Sequence, residues 1–482
     1  MSGSPRPPPE VSNRTGDDLA FAGVARLSEL LRAGEVTPRE LVELYVERIE
    51  RLDPRLNSFV SVRAEAALAE ADAALERLRA GESSPLLGVP VAVKDNVDIV
   101  GEVTGHGTGA NETPATSEAE VVRRLRSAGA PMLGKTALPE LAMWGHMTES
   151  RTHGAARNPW DTERTTGGSS GGTAAAVAAG LAPVGLGSDG GASIRVPSAL
   201  CGLFGLKPTR GRISTLPDPE HWHGLTVFGG LARSVLDAAL FDDALRGAAA
   251  GDAHTPPEPE MSFADAARRE PGRLRVAVSL KGTLPGVKVG AAARRAVQET
   301  AELLRSLGHE VAERDPKYGQ LLPDAMPRYL AGIADDAAKL DHPDRLEPRS
   351  RRMAGWGRRL HGRALRRAVR LEPAVAERVN AIFLDHDVLL TPVTAAQPQA
   401  VGRWRDKGAV RTFNGGGPFV TYTAIWNYLG QPAAAVPAGF DEDGLPTAVQ
   451  IAAGINGETT LLSLAAQLEQ ARPWVDRRPP VS

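Results

Sequence analysis

Two glycine-rich stretches of the sequence each place a serine where a loop turns into a helix. Residues 165–172 read TTGGSSGG and precede an alanine-rich helical run, and residues 185–197 read GLGSDGGASIRVP. Such turns expose backbone N–H groups, and the N-terminus of the helix that follows adds positive potential. Because this arrangement can stabilise an oxyanion, the pattern indicates acyl-transfer chemistry with a serine nucleophile.

The lysines suggest the base for such a nucleophile. Only eight of the 56 basic residues are lysine, and Lys94, Lys135 and Lys207 lie in the same region as the glycines. Lys94 follows the apolar run 91–93, which predicts the end of a strand near the interior. A buried lysine loses its charge readily, as arginine cannot, and the neutral amine can act as a general base. Since one base suffices, Lys135 and Lys207 are predicted to be structural.

Together these motifs resemble the amidase signature family. The match consists of GGSSGGTAAAVAAG at 167–180, GLGSDGGASIRVPSALCGLFGLKPTRGRIS at 185–214, VAVKDN at 91–96, GAPMLGKTALPELA from residue 129, and motifs between residues 430 and 450. The resemblance covers about residues 18–474 and is weakest between 315 and 383. It implies an α/β fold with one large domain, in which helices cover both faces of a mixed, twisted central sheet, and it implies no cofactor.

Position by position, the resemblance implies a Ser–cis-Ser–Lys triad. Ser193 matches the nucleophile, Ser169 matches the bridging serine that follows a cis peptide bond, and Lys94 matches the base. Backbone N–H groups of the nucleophile loop would bind the oxyanion, and three further side chains would order the loops around it. The oxyanion residues are Gly190, Gly191, Ala192 and Ser193, and the ordering residues are Ser170, Asp189 and Arg195.

The nucleophile loop departs from the family pattern at two positions. It reads Asp-Gly-Gly-Ala-Ser where the family usually has Asp-Thr-Gly-Gly-Ser. Ala192 therefore adds a methyl group beside the nucleophile, and Gly190 removes a hydroxyl. Neither change touches the triad, so both bear on loop rigidity and pocket shape and leave the reaction class unchanged.

Other interpretations of single motifs are weaker. GGSSGG alone fits a flexible linker, and it also fits the G-x-S-x-G elbow of α/β-hydrolases, but residues 157–166 do not read as the strand that an elbow requires. His221 and His223 lack supporting ligands in the sequence, so they favour a surface or pocket loop, and no metal is expected. Cys201 is interpreted as a small buried hydrophobe, because no activating partner is evident.

An aromatic-rich stretch supplies candidates for a substrate pocket. Residues 411–430 contain five of the 22 aromatic side chains, and core packing is expected for most of them. Some are expected to line an apolar pocket, which favours apolar or aromatic amides, with esters or carbamates (urethanes) as further substrates. The candidates are Met143, Trp144, Phe413, Tyr422 and Trp426.

Two other functions remain open at this stage. The chain could be the amidase subunit of a tRNA-dependent amidotransferase complex, which delivers ammonia to partner subunits, or it could be a non-catalytic scaffold. The intact Ser/Ser/Lys set argues against a scaffold. A hydrolase that acts alone is the favoured interpretation, and activity of the isolated chain on simple amides would distinguish it from the amidotransferase subunit.

The elements that must position these residues alternate between helix and strand, which is typical of α/β proteins. Thr37 precedes Pro38 at a predicted helix start, and apolar runs predict short strands further along the chain. Helices are expected at 64–78, 118–127 and 460–469, and strands at 87–93, 131–133, 181–187, 274–280, 310–312, 388–393, 434–437 and 447–452.

Composition suggests how the chain is divided. Residues 1–17 are rich in proline and polar side chains and are expected to form a disordered or loosely attached tail. The stretch 248–260 reads as a linker or a long surface loop. The expected amidase domain spans 18–482, with N-terminal helices at 18–90, the signature core at 91–250 and a variable helical insertion at 325–380.

Charge and cysteine content limit the classes of partner. The 482 residues include 58 acidic and 56 basic side chains, and this balance argues against nucleic-acid binding through a general basic surface. A single cysteine favours a reducing compartment, and the sequence contains no apolar stretch that reads as a signal peptide or a membrane span. The expectation is a cytoplasmic monomer or homodimer that acts on a small-molecule amide without nucleic-acid or membrane partners.

Overall fold

The computed structural model describes residues 16–319 and 322–482, so most of the predicted tail at 1–17 lies outside the described residues. The strands are β1 Phe59–Val62, β2 Val91–Lys94, β3 Met132–Thr136, β4 Glu149–Ser150, β5 Gly154–Ala155, β6 Arg157–Asn158, β7 Asp161–Thr165, β8 Val184–Asp189, β9 Phe204–Lys207, β10 Val227–Ala232, β11 Arg275–Val278, β12 Glu310–Glu313, β13 Val388–Pro392, β14 Ala433–Phe440 and β15 Pro446–Ala453.

The helices lie between and beside these strands in chain order. They are α1 Gly16–Ala20, α2 Gly23–Ala33, α3 Pro38–Leu56, α4 Ala64–Arg79, α5 Glu120–Ala128, α6 Gly171–Ala178, α7 Arg195–Cys201, α8 His221–Gly224, α9 Val235–Leu245, α10 Phe263–Arg268, α11 Ala291–Ser306, α12 Leu322–Ala338, α13 Pro348–Leu360, α14 Arg363–Asn380, α15 Ile382–Asp385, α16 Ala409–Gly415, α17 Gly417–Val420, α18 Ala424–Leu429 and α19 Glu458–Ala471, with 3₁₀ turns at Glu140–Ala142 and Pro343–Arg345.

One large mixed sheet organises the fold. Within the described residues it contains eleven strands in the order β1-β3-β2-β8-β10-β9-β14-β15-β13-β11-β12. Strand β2 runs parallel to both β3 and β8, and β11 runs parallel to both β13 and β12. The strands between β8 and β13 pair antiparallel. Because β2 and β8 are parallel neighbours, their carboxyl ends meet at the same edge of the sheet, which brings Lys94 beside the end of β8.

Both faces of this sheet are buried. On β13, Val388 and Leu390 pack into one apolar cluster, while Leu389 between them packs into another. On β15, Ile451 packs into the first of these clusters and Ala452 into the second. Since successive side chains of a strand point to opposite faces, the two clusters lie on opposite sides of the sheet, between it and the flanking helices. The predicted class, a single α/β domain built on a mixed central sheet, is confirmed.

Most predicted elements are present with shifted ends. The eight expected strands correspond to β2, β3, β8, β11, β12, β13, β14 and β15. Thr37 caps α3 as expected, since its hydroxyl accepts from the Glu40 backbone N–H while the Glu40 carboxylate accepts from the Thr37 N–H. The stretch 248–260 contains neither helix nor strand. No helix in the part of the chain that the structure describes has the length and apolar character needed to cross a bilayer.

Several strands were not predicted. Strands β6 and β7 lie within residues 157–166, so the expectation that this stretch forms no strand is wrong, and β9 and β10 lie in glycine-rich sequence that reads as loop. β9 and β10 contain glycine at positions where a side chain would not fit, so their apolar pattern is interrupted. A Cβ on Gly230, for example, would lie 2.8 Å from the ring of Phe241 on α9. The glycine allows the helix to pack closely on the strand, and it removes the signal that would have predicted the strand.

Candidate active site

Lys94 is the last residue of β2, and its side chain is fully buried. Its Nζ lies 2.7 Å from Ser169 Oγ, 2.9 Å from Ser188 Oγ and 3.3 Å from Ser188 O. Burial lowers the pKa of Lys94 to about 7, although nearby Asp189 acts to raise it. A neutral amine has two N–H donors and one lone pair, so it can donate to both oxygens of Ser188 while the lone pair accepts from Ser169.

Ser169 lies in the loop before α6, and the peptide bond between Gly168 and Ser169 is cis. A Cβ on Gly168 would collide with the carbonyl oxygens of Trp144 and Met147, so only glycine fits at that position. The next residue, Ser170, accepts from the backbone N–H of Ser188 at 3.3 Å and lies 3.2 Å from the Ser188 carbonyl. These contacts fasten the Ser169 loop to the end of β8.

Ser193 lies between β8 and α7 and faces a cleft. Its carbonyl accepts from the Ser170 backbone N–H at 3.2 Å, which ties the two serine loops together. Its hydroxyl makes no hydrogen bond with any residue that the structure describes. The structure therefore brings Lys94 and Ser169 into direct contact, and it connects Ser193 to them through the backbone of the loops. Hydrogen bonds of this kind often tighten only when a substrate binds.

Gly190, Gly191 and Ala192 line the cleft together with Ser193. The Gly191 N–H already donates to Asp189 Oδ1 at 3.0 Å, so it does not face an oxyanion as the sequence interpretation requires. The backbone N–H groups of Gly190, Ala192 and Ser193 donate to no other described residue. The structure therefore leaves three candidate donors for an oxyanion in this loop.

A buried ion pair holds the nucleophile loop in shape. Arg195 lies at 3.0 Å and 3.1 Å from the two carboxylate oxygens of Asp189, and both side chains are fully buried. Asp189 also accepts from the Ile194 backbone N–H at 3.1 Å. Burial acts to raise the pKa of Asp189, but the Arg195 guanidinium outweighs it and holds that pKa well below its usual range. This carboxylate therefore stays charged and organises the loop from inside.

Two side chains from distant elements complete this network. Asn427 on α18 donates to the Asp189 carbonyl and carboxylate at 2.7 Å and 2.9 Å, and Gln450 on β15 accepts from Arg195 at 2.8 Å. Neither residue was identified from the sequence, because both lie more than 200 residues from the loop. A signal existed for Gln450, since an amide inside an apolar strand that is buried on both faces needs a partner.

Breaking this ion pair is expected to destabilise the fold. Asp189→Asn keeps the shape of the side chain but leaves the Arg195 guanidinium buried without a counter-charge, which costs about 3–5 kcal/mol of unfolding free energy. Urea denaturation of the variant measures this loss. Asp161→Asn is the matched control, because its pair with Arg164 is half-exposed and is expected to contribute less than about 1 kcal/mol. Equal stability of Asp189→Asn and the unsubstituted chain would contradict this interpretation.

The cleft has a volume of about 360 Å³ and is mostly apolar. Of the five predicted pocket residues, Met143, Trp144 and Phe413 line it. Tyr422 and Trp426 do not, which corrects their assignment. The Tyr422 hydroxyl donates to the Leu280 carbonyl at 2.7 Å, and Trp426 is fully buried beside Phe383, so core packing accounts for both.

Trp222 is a cleft residue that the sequence interpretation missed. A Cβ on Gly190 would lie 2.8 Å from its ring, so the glycine that departs from the family pattern makes room for this tryptophan. Its Nε1 donates to Asp336 at 2.6 Å, and its ring packs edge-on against Tyr329, which also lines the cleft. The sequence analysis places His221 and His223 in a surface or pocket loop; in the structure they lie in the short helix α8, whose Trp222 lines the cleft.

The other candidates have structural partners. Lys135 donates to Thr104 Oγ1 at 2.8 Å and lies 3.4 Å from Asp95, and Lys207 donates to the Pro208 carbonyl at 2.7 Å. Cys201 is buried, and burial raises the pKa of its thiol, which makes it a poor nucleophile. These observations agree with the structural roles predicted for all three.

Comparison with known proteins identifies the family of enzymes to which this chain belongs. The family model described as Amidase matches residues 40–462. AmiB2 of Mycobacterium tuberculosis, which carries an amidase name, is 51% identical over 467 residues, covering 96% of this chain and 99% of that protein. These matches define the chain as an enzyme that hydrolyses amides. It belongs to the amidase signature family.

Two solved structures share the fold over nearly the whole chain. The structure of 6-aminohexanoate cyclic dimer hydrolase with its substrate superposes with a TM-score of 0.90 at 32% identity, covering 96% of this chain and 99% of that one. A bacterial aryl acylamidase of the amidase signature enzymes superposes with a TM-score of 0.84 at 25% identity, covering 94% and 97%.

Proposed function

We propose that the chain hydrolyses carboxylic amides through an acyl-enzyme on Ser193. The neutral Lys94 amine takes the proton of Ser169 while Ser169 takes the proton of Ser193, and Ser193 Oγ attacks the carbonyl carbon. The carbonyl electron pair moves to oxygen, and the free N–H groups of Gly190, Ala192 and Ser193 stabilise the oxyanion. The tetrahedral intermediate then collapses, and the leaving amine takes its proton from Lys94 through Ser169.

Water completes the cycle by the same route. It gives one proton to the Ser169–Lys94 pair as it attacks the acyl carbon, and that proton returns to Ser193 Oγ as the bond to Ser193 breaks. The carboxylic acid product keeps the other proton of the water and loses it to solvent as the carboxylate. The observation that carries this proposal is the 2.7 Å contact between Ser169 Oγ and a fully buried Lys94 whose pKa is lowered to about 7. Such a lysine is about half neutral at neutral pH, whereas an exposed lysine is almost entirely charged.

We further propose that the substrates are apolar or aromatic amides, and that the corresponding esters and carbamates are hydrolysed as well. Trp144, Trp222, Tyr329 and Phe413 give the cleft aromatic walls, and a site of this kind binds apolar groups by burial. The names of the two structural relatives, a hydrolase of a cyclic amide dimer and an aryl acylamidase, support the same substrate class.

A substrate panel tests this assignment with the isolated chain. Anilides, short aliphatic amides and aryl carbamates should be compared by kcat/KM, and the anilides are expected to rank highest. Turnover restricted to small polar amides would refute the assignment. Activity of the chain without partner subunits would also exclude the amidotransferase alternative, because a subunit of such a complex is expected to need the other subunits.

Phe413→Ala is expected to raise KM for an anilide about tenfold while leaving KM for acetamide unchanged. Phe413 is half-buried and lines the cleft, so its loss removes contact area from an aryl group, and missing contacts of this size typically cost 1–3 kcal/mol. Steady-state kinetics on both substrates measure the effect. Val410→Ala on the same helix is the control, since Val410 is 53% exposed and does not line the cleft. An equal KM change on both substrates would rule out the aryl contact.

A further inference from the structure

Three side chains with metal-binding atoms meet outside the cleft, where three elements come together. His223 lies in α8, Asp335 in α12 and His361 directly after α13. The Nε2 of His223 lies 3.0 Å from Asp335 Oδ2, and the Nε2 of His361 lies 3.1 Å from Asp335 Oδ1. All three ligand atoms lie within 4.8 Å of one another. The sequence interpretation considered only His221 and His223, because the other two ligands are more than 100 residues away.

The two histidine–carboxylate distances, one to each oxygen of Asp335, fall in the range that a transition-metal ion imposes on its ligands. An ion with bonds of about 2.0–2.2 Å holds neighbouring ligand atoms roughly 3.0–3.6 Å apart in octahedral or tetrahedral geometry. Two imidazole nitrogens with one carboxylate suit zinc and its neighbours in the transition series, whereas Mg²⁺ and Ca²⁺ prefer sites made of oxygen alone. Three protein ligands leave the remaining positions to water.

The partners of Asp335 distinguish this cluster from its neighbour. Asp218, His221 and Asp336 also lie close together, but the Lys339 ammonium contacts Asp218, and Trp222 Nε1 donates to Asp336. Protein donors therefore already satisfy that group. Among the described residues, the ion pairs of Asp335 within 4.0 Å are those with the two histidines, and the Lys339 ammonium acts on its carboxylate only at longer range. His223 Nε2 is buried and makes no hydrogen bond of acceptable geometry there.

The backbone of His223 is fixed in the conformation that directs its side chain toward Asp335. His223 has a φ of 53°, a left-handed conformation that is uncommon outside glycine. The buried Arg328 donates from Nε to the His223 carbonyl at 2.7 Å. Arg328 and Asp335 lie two turns apart on α12, so one helix supplies both the backbone anchor and the carboxylate. Strain that is fixed in this way is a common feature of functional sites.

We propose that His223, Asp335 and His361 bind a divalent transition-metal ion of the zinc class. The ion fastens α12 and the end of α13 to α8, which carries Trp222. Because Trp222 and Tyr329 form one wall of the cleft, an occupied site stabilises that wall. The ion takes no part in the acyl transfer, so this proposal does not depend on the triad.

Zinc titration of the full chain tests the proposal. Untagged, metal-stripped protein should be titrated against a chromophoric chelator, and one equivalent of Zn²⁺ is expected to bind. His361→Gln and Asp335→Asn are expected to weaken binding at least tenfold, because even indirect changes at metal sites have effects of 10–100-fold. His342→Gln is the control, since His342 is an exposed histidine beside Glu112 and lies outside the cluster.

Thermal unfolding gives an independent measurement. Added Zn²⁺ is expected to raise the melting temperature of the unsubstituted chain and of His342→Gln, but not that of His361→Gln. His361 is half-exposed, so its replacement is expected to leave the fold intact, and circular dichroism without metal checks this. Failure of the unsubstituted chain to take up zinc, or equal binding by His361→Gln, would overturn the proposal.

Discussion

Replacing Ser193 with alanine is expected to lower kcat for a good amide substrate by about 10⁴-fold or more. The variant lacks the oxygen that forms the acyl-enzyme, so only substrate binding and the oxyanion donors remain, and removal of a serine nucleophile elsewhere has cost about 10⁶. The cleft itself is unchanged, because the side chain makes no hydrogen bond with the described residues. Steady-state kinetics measure the loss in kcat, and a ligand-induced thermal shift checks that the variant still binds substrate.

Ser198→Ala is the matched control for that experiment. Ser198 lies on α7, five residues beyond Ser193, and its buried hydroxyl has no hydrogen-bond partner among residues 16–319 and 322–482. Removing it therefore sacrifices no hydrogen bond, and near-normal activity is expected. If Ser193→Ala retained activity comparable to this control, the nucleophile assignment would be wrong.

The second large effect is expected at Lys94. Lys94→Met removes the base and should reduce kcat/KM by at least about 10³-fold, within the range typical of acid–base groups. Lys94→Arg should be equally inactive, because a guanidinium stays protonated at working pH and cannot accept the Ser169 proton. Lys317→Met replaces an exposed lysine and should have no effect. Appreciable activity in Lys94→Arg would contradict a role for neutral lysine.

The assignment of Lys94 as the base also predicts how kcat/KM changes with pH. Below a pH of about 7 the Lys94 amine is protonated and cannot act as a base, so kcat/KM should rise with pH through about 7 and level off above it. Burial also raises the pKa of the Glu140 carboxyl to about 7, so the titrating group must be identified. Repeating the profile at several temperatures does this, because amine ionisation is strongly endothermic and carboxyl ionisation is not. An apparent pKa independent of temperature would exclude Lys94.

The parts of the site that the sequence predicted are those that local motifs encode. Lys94 ends an apolar strand, and Ser169 and Ser193 lie in glycine-rich turns, so each could be recognised from its neighbours in sequence. Parallel pairing of β2 with β8 then brings Lys94 to the serines. The fold class was predictable for the same reason, because alternating helices and strands appear as local patterns.

The parts that could not be predicted depend on contacts between distant residues. The sequence predicts Gly190 as an oxyanion donor and shows that it lacks the usual hydroxyl, but it does not show that Trp222 packs against this glycine. Aromatic residue type alone could not separate Phe413, which lines the cleft, from Trp426, which is fully buried, because the difference depends on which distant residues pack around each ring. Asn427 joins the Asp189 network from more than 200 residues away, and no pattern near either residue indicates the pairing.

Direct detection of the acyl-enzyme tests the central claim. The chain should be mixed with an activated aryl ester of an apolar acid, quenched in acid within the first turnover and digested with trypsin. Residues 165–195 form one tryptic peptide that contains both Ser169 and Ser193, so fragmentation in the mass spectrometer must locate the acyl group. One acyl group is expected on Ser193 Oγ, and none is expected in Ser193→Ala. An acyl group on Ser169, or product formation with no acylated peptide, would contradict it.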